Sequence, residues 1–472
     1  MWCILCEVER DKNMKVLIVG AGKLGCKLTS SLINIDADIT VMDDDSSVLE
    51  SLSDTYDILP VKGSGIDLLT LQRISIETFD LTIGVTENDE TNIVTCTLAK
   101  KLGCKKVIAR IRSAKYMGQH EFIKESMNID FIINPENSIS EEIKNYLHKD
   151  YPFYSHSFAS DRISIITICS DDKKDWIGQK LFDISDLDNY LIVAISKNGK
   201  IIIPNGHTSI EEGSMLYVIG KSDEVLSLAK DSSKKTKHLV KNTIIVGGGK
   251  IGFYLASLLS NIGIDVKLIE ILEKRCDFLS ENLSDDILIL NSDGTNMDFL
   301  QEEDIENTDA IICVTDYDEA NILTAAAAKK LGVTKAIAKT SKTNYTSIID
   351  DLTIDVVIRT IDIAAADILK YLGGNQMLSL SMLLGGEAEV LELIVDETMH
   401  ITKKPLKNLD FPKGIIIGSI LRNNSVIIPN GGVQIQPEDK IVIFCIKNQA
   451  HHLKNYLESK KGGKTNAFWL GD

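Results

Sequence analysis

Two glycine-rich segments hold the residues best suited to chemistry: Gly20-Ala-Gly22-Lys-Leu-Gly25 and Gly247-Gly-Gly249-Lys-Ile-Gly252. Each follows a β-branched run and opens a helical stretch. In that setting the first glycine permits a tight turn, and the second lets backbone approach a pyrophosphate. The third lets the helix pack on the strand. The helix amino terminus adds unpaired N–H groups and a partial positive charge. Phosphate is therefore the expected ligand of both loops, including Lys23, Leu24, Lys250 and Ile251. The pattern also predicts an acid about 20 residues on, at the end of the next strand. Asp43 and Glu270 each stand 23 residues after the first glycine of their loop. A carboxylate there accepts hydrogen bonds from a ribose diol and repels a 2′-phosphate, which favours NAD(H) or an adenine nucleotide over NADP.

Other charged residues fall nearby. Arg110 and Arg112 are predicted on one strand at spacing two, hence on one side, where guanidinium groups suit phosphates. Their matching positions are Lys339 and Ser341, so the second site keeps one cation and the two sites are expected to differ in affinity or ligand. Thr86 and Thr315 are predicted to end a fourth strand, at the carboxyl edge where α/β sheets bind ligands. The acid pairs Asp89/Glu90 and Asp318/Glu319 read as capping and complementing the next helix rather than touching ligand.

A dehydrogenase would also need a proton-transfer group. Of eight His, His120, His148 and His156 have no counterpart in the other half, and the counterpart of His207 is Gly432. No hydrolase elbow, Walker lysine or zinc spacing occurs. The nine Cys are scattered through apolar runs and read as reduced core thiols; Cys3 and Cys6 form one CxxC without a partner pair. No catalytic residue and no metal site are expected, and the nucleotide reads as a signal rather than a reactant.

The elements that position these residues are written twice. Gly20 and Gly247 are 227 residues apart. Val85-Thr-Glu-Asn-Asp-Glu-Thr-Asn92 returns as Val314-Thr-Asp-Tyr-Asp-Glu-Ala-Asn321, and Ala99-Lys-Lys-Leu-Gly103 as Ala328-Lys-Lys-Leu-Gly332, both at an offset of 229. Ile203-Pro-Asn-Gly206 returns as Ile428-Pro-Asn-Gly431 at 225. The chain is a tandem duplication. In each copy β-branched runs alternate with helical stretches, which implies parallel βαβ units. Lys15–Val19, 38–42, 81–85 and 106–111 are the predicted strands, with helices over 24–33 and 90–102. A smaller, strand-rich part follows, with strands over 163–169, 190–196, 200–203 and 214–220 and a hairpin turn at Asn198-Gly199. The fold class is α/β: two Rossmann-like doubly wound domains, 14–135 and 242–360, each followed by a small α+β domain, 151–229 and 377–457. A polar linker over 231–238 joins the copies, and the tail at 460–464 reads as mobile.

Composition narrows the function. The 472 residues are 44% hydrophobic, 25% charged and 6% aromatic, with a formal charge of −17. Such acidity excludes a phosphate-backbone-binding surface, so no nucleic acid partner is expected, and it disfavours direct adhesion to anionic lipid. No run approaches the ~20 apolar residues of a membrane span. The opening segment lacks the zones of a signal peptide, Met14 reads as the better start, and a soluble cytoplasmic protein is expected.

The order of these residues resembles the regulator of potassium conductance (RCK) family, in the tandem form of the bacterial Trk potassium uptake system. The matching residues are the glycine loops, Asp43 and Glu270, the Val-Thr-x-x-Asp-Glu-x-Asn runs, Ala109-Arg-Ile-Arg-Ser113 and the Ile-Pro-Asn-Gly segments with the acidic turns that follow them. Asp293 stands where the family often has an Asp after the third strand; Ser64 occupies that place in the first copy. The resemblance implies a cytoplasmic regulatory subunit, peripheral on the inner face of the plasma membrane. It implies a tetrameric ring beneath a TrkH-type potassium channel subunit, gated by NAD(H), ATP or ADP. Ile139–Leu147 and Ile363–Leu372 read as assembly contacts or as ordinary core. Competing readings are a soluble NAD-dependent oxidoreductase and a nucleotide sensor serving another transporter.

Overall fold

The computed structural model describes residues 14–33, 37–116, 118–148, 155–159, 161–197, 200–232, 240–341, 354–372, 377–383, 388–446, 453 and 456–457. The Asn198-Gly199 turn, the 231–238 linker beyond Ser232, Cys3 and Cys6, and the 460–464 tail lie outside them. The chain forms two compact units, Met1–Asn134 and Pro135–Asp472. No helix among the described residues is long and apolar enough to cross a membrane.

The first unit alternates strand and helix: β1 (Lys15–Val19), α1 (Lys23–Ile33), β2 (Asp38–Asp43), α2 (Ser46–Thr55), β3 (Leu59–Lys62), α3 (Leu68–Arg73), β4 (Leu81–Gly84), α4 (Asp89–Lys101), β5 (Lys106–Arg110), α5 (His120–Met127) and β6 (Phe131–Ile133). The sheet order is β3-β2-β1-β4-β5-β6 and every pairing is parallel. Helices on both faces explain why β1 is apolar after Lys15 and why β4 is buried at every position. Strand order reverses between β1 and β4, and a crevice opens at their carboxyl ends.

The second unit begins with α6 (Pro135–His148). The strands β7 (Ser155–Phe158), β8 (Ile163–Cys169), β9 (Tyr190–Lys197), β10 (Lys200–Ile202) and β11 (Met215–Lys221) follow, then α7 (Ser222–Ser232). They form an antiparallel sheet ordered β10-β9-β11-β8-β7. A second Rossmann-like layer comes next: β12 (Asn242–Val246), α8 (Lys250–Asn261), β13 (Asp265–Glu270), α9 (Glu273–Asn282), β14 (Leu288–Asn291), α10 (Met297–Glu302), β15 (Ala310–Cys313), α11 (Asp318–Lys330), β16 (Lys335–Thr340) and β17 (Val356–Arg359). Its parallel order, β14-β13-β12-β15-β16-β17, repeats that of the first sheet. After α12 (Thr360–Leu372) the strands β18 (Met377–Leu383), β19 (Ala388–Ile394), β20 (Ile415–Arg422), β21 (Ser425–Ile427) and β22 (Lys440–Ile446) form a second antiparallel sheet, β18-β19-β22-β20-β21.

The two small sheets share one core, in which Ile163, Val193 and Ile219 pack with Val390, Val442 and Phe444. Gly418 makes the approach possible, since a Cβ there would stand 2.8 Å from Ile219 Cδ1. The Ala159 amide donates to Glu392 Oε1 at 3.1 Å across the same seam.

The surfaces predicted as assembly contacts are packed within the chain. Helix α6 lies against α8 and α12, with Ile139, Ile143 and Leu147 buried, and Ala364, Ala365 and Ala366 are buried on α12. Ser140 Oγ donates to Ile251 O at 3.2 Å. The carboxyl end of α6 meets Lys335, whose Nζ donates to Tyr146 O at 3.1 Å and lies 4.7 Å from the centre of the Tyr146 ring. A lysine at a helix carboxyl terminus satisfies carbonyls that have no partner within the helix.

Candidate functional site

Each glycine loop is built by backbone constraints. Gly20 takes φ +109°, a left-handed conformation that favours glycine, and donates to Met42 O at 2.9 Å. A Cβ at Gly20 would stand 2.8 Å from Thr86 N, so the chain just past β4 also requires glycine there. A Cβ on Gly25 would collide with the Gly20 carbonyl oxygen. Gly22 faces open space, with nothing within 4 Å of an added Cβ. The loop is thus closed where it packs and open where a ligand would approach. Gly247 (φ +109°), Gly252 and open Gly249 repeat the arrangement. Leu24 and Ile251 are buried, so only their backbone can face a ligand, whereas Lys23 and Lys250 are exposed.

The acids close both loops in the same way. Asp43 Oδ2 accepts from Ala21 N at 2.6 Å and Oδ1 from Asp45 N at 3.0 Å. Glu270 Oε2 accepts from Gly248 N at 2.8 Å and Oε1 from Leu272 N at 2.9 Å. Each oxygen holds one amide and retains further acceptor capacity, which a ribose hydroxyl can use.

Thr86 and Thr315 lie two residues past the strands they were predicted to end. The fourth residue of each following helix, an asparagine, anchors them. Thr86 N and Oγ1 donate to Asn92 Oδ1 at 2.8 and 2.7 Å, and Asn92 Nδ2 donates to Thr86 O and Arg110 O at 3.1 and 2.9 Å. Asn321 makes the same set with Thr315 and Lys339 O. These asparagines belong to the repeated runs, yet nothing in their spacing indicates that they tie two strands together.

Arg112 is not on the strand: β5 ends at Arg110, because Arg112 N and Ser113 N turn away to donate to Asp89 Oδ2 at 2.9 and 2.7 Å. Both guanidinium groups nevertheless reach the same loop. Arg110 Nη2 donates to Thr86 O at 2.8 Å, and Arg112 Nη2 to Glu87 O. Asp89 is buried and joins the start of α4 to the chain beyond β5; the cap itself is Asn88, whose side chain accepts from Thr91 N at 2.6 Å. In the second copy Lys339 Nζ donates to Thr315 O at 2.9 Å, and Asp318 accepts from Ser341 N and Oγ at 2.9 and 3.2 Å. Asp293 is exposed, and bonds from the Thr295 hydroxyl and amide hold its carboxyl below the usual range.

One residue the sequence reading missed is Arg275. Its Nε donates to Gly248 O at 2.6 Å and its Nη2 to Gly249 O at 3.3 Å, with the guanidinium 4.4 Å from the Phe278 ring centre. Burial lowers its pKa, against the pull of Glu270. The matching position of the first copy is Val48. The signal was present as a basic pair, Lys274-Arg275, where the first copy has Ser47-Val48, but nothing in the spacing aims it at the loop.

The thiols are core groups: burial pushes Cys96 up to about 12 and raises Cys313.

Residues 16–135 and 243–360 match the TrkA-N domain, and 169–231 and 390–458 the TrkA-C domain. The chain is 32% identical over 466 residues to the Trk system potassium uptake protein TrkA of Haemophilus influenzae, spanning 97% of this chain and all of that one. It is 30% identical over 453 residues to a TrkA homolog of Methanosarcina mazei, spanning 94% of this chain and all of that one. Among solved structures, the GsuK RCK domain superposes with a TM-score of 0.55 at 16% identity over 97% of both chains. The GsuK channel bound to NAD gives 0.55 at 17% identity over 94% of this chain and 79% of that one. At such identity the likeness concerns the fold.

Proposed function

This chain belongs to the TrkA family of Trk system potassium uptake proteins, and from that premise we propose that it is a nucleotide-binding regulatory subunit that gates a TrkH-type potassium channel. The observation that carries the reading is the pair of crevices: each loop is closed by an acid, open over its second glycine and floored by the Thr–Asn anchor. NAD(H), ATP or ADP would lay its phosphates on the loop and its ribose on Asp43 or Glu270. Gly20, Gly22, Gly25, Gly247, Gly249 and Gly252 shape the cradle, with Thr86, Arg110, Arg112, Thr315 and Lys339 on the far side and Asp293 past the strand beside Glu270. The NAD-bound GsuK channel supports a dinucleotide on this fold.

No bond need be made or broken. A ligand shifts an equilibrium only by the difference in its affinity for the two states. A crevice whose walls come from separate strands can supply that difference. The subunit would act in a tetrameric ring on the inner face of the membrane, attached through the channel.

Calorimetry of the full chain with NADH, ATP and ADP tests the reading, alongside Asp43→Ala, Glu270→Ala and the double variant. Each single variant is expected to remove about one site's worth of binding while the chain still folds, at a lowered melting temperature because two loop amides lose their acceptor. Absence of nucleotide binding by the wild-type chain, or NADH oxidation with a carbonyl substrate at an enzyme-like rate, would overturn it. Nucleotide-dependent potassium flux in vesicles carrying the channel subunit tests the partner.

A further inference from the structure

The two crevices differ at the edge where the adenosine ribose would lie, and this inference rests on the nucleotide-binding reading above. Around the first acid the chain reads Asp43-Asp-Asp-Ser-Ser-Val48, three carboxylates and no cation; Lys62 is the basic group that bears on Asp45. Around the second it reads Glu270-Ile-Leu-Glu-Lys-Arg275, two carboxylates and two cations. Lys274 is exposed, while Arg275 is turned onto the loop.

We propose that Arg275 is a specificity-determining residue that lets the second crevice accept a nucleotide phosphorylated on its adenosine ribose, such as NADP(H), which the first crevice rejects. A ribose phosphate placed beside an acid must overcome charge repulsion. In the first crevice nothing on the 43–48 edge offsets Asp43, Asp44 and Asp45. In the second, Arg275 and Glu270 meet at one residue, Gly248, whose carbonyl and amide they bind, so the guanidinium stands beside the acid and offsets it.

The guanidinium is also incompletely used. It has five N–H donors, and its hydrogen bonds to the loop engage Nε and Nη2, so donor capacity remains for a dianion. Its hold on Gly249 O, at 3.3 Å, is long. Phe278 beneath it fixes the plane of the fork at the rim without adding a competing acceptor. Guanidinium groups suit phosphate because they can present two parallel donors to it. Val48 offers nothing comparable.

The test uses the full chain carrying Asp43→Ala, which leaves the second crevice as the principal site. Titration with NADH and NADPH is expected to give dissociation constants within about tenfold of each other. Adding Arg275→Val, the residue of the first copy, is expected to weaken NADPH about ten- to a hundredfold, as for a hydrogen bond to a charged group, while NADH changes by about threefold or less. Arg275→Lys should recover part of the NADPH affinity. Melting temperature without ligand verifies that each variant is folded. If NADH binds and NADPH does not, the inference fails and the nucleotide reading stands. Equal losses for both ligands in Arg275→Val mean that the arginine only braces the loop, which also overturns it. If neither ligand binds, the nucleotide reading itself has failed.

Discussion

Gly248 donates its amide to Glu270 at 2.8 Å, and a methyl group on Gly248 would press on that same carboxylate at 3.1 Å. The pair is matched: the first copy joins Ala21 to the shorter Asp43. The longer acid is accommodated by the smaller neighbour. Leu279 adds to the constraint, with its Cδ1 2.5 Å from the missing Cβ. Gly248→Ala is therefore expected to cost about 1–3 kcal/mol, the usual range for overpacking. Adding Glu270→Asp should recover at least half, as judged by denaturant melts. Strictly additive losses would show that the two positions are not coupled.

The glycines of one loop should separate by role. Gly25→Ala drives a Cβ into the Gly20 carbonyl and is expected to lower the melting temperature strongly or prevent folding. Gly22→Ala meets nothing within 4 Å and should leave the melting temperature near wild type. Its nucleotide affinity should fall about tenfold or more, because the pyrophosphate needs that space. Thermal melts and calorimetry on the two variants decide it; unaltered affinity in Gly22→Ala would remove the phosphate from this loop.

Asn92 is fully buried and its side chain satisfies Thr86 and Arg110 backbone groups, sharing the Thr86 carbonyl with Arg110 Nη2. Asn92→Ala takes the acceptor from the partly buried Thr86 amide and the donor from the Arg110 carbonyl, at about 1–3 kcal/mol for each group so stranded. Asn321→Ala should do the same in the second unit. Urea melts followed by hydrogen exchange would assign each loss to its own sheet. A wild-type midpoint in either variant would contradict the anchoring role.

Asp367, on α12, makes a pH-dependent contribution. Burial raises its pKa, opposed by a hydrogen bond with Ser138 and by the charge of Lys370. The folded chain therefore holds this proton more tightly than the unfolded chain does. Its stabilising share is complete below the unfolded carboxylate value of about 3.9. It is lost as pH rises through that value towards the folded one. Asp367→Asn should match wild type at the acid end of this window and exceed it at neutral pH. Melting temperature against pH checks the sign; a variant less stable at neutral pH would reverse it.

Several of these relationships were legible in the sequence. β1 falls on the predicted Lys15–Val19, and the alternation of strand and helix was plain because buried parallel strands are unbroken apolar runs. The glycine loops and their acids were legible because backbone geometry dictates residue type at fixed spacing. Arg275 was not, since α9 delivers it by a tertiary contact with no periodicity to announce it. Arg112 was expected on the strand but lies two residues past it, as the buried carboxylate of Asp89, 23 residues earlier, bends the backbone away. The seat of α6 was invisible for a similar reason: Ser140 meets Ile251 and Tyr146 meets Lys335, across more than a hundred positions of sequence.

That seat has a historical consequence. Helix α6 is encoded with the first copy but rests on the second, so the inherited segment and the folded body have different borders. A polypeptide of half this length would have to lodge its helix on a sister molecule. Fusing the copies ties donor and acceptor together, replacing a bimolecular encounter with a tethered one whose effective concentration the connecting chain sets. The duplication thereby made the embrace independent of dilution, and left each copy free to drift, as Val48 and Arg275 have done.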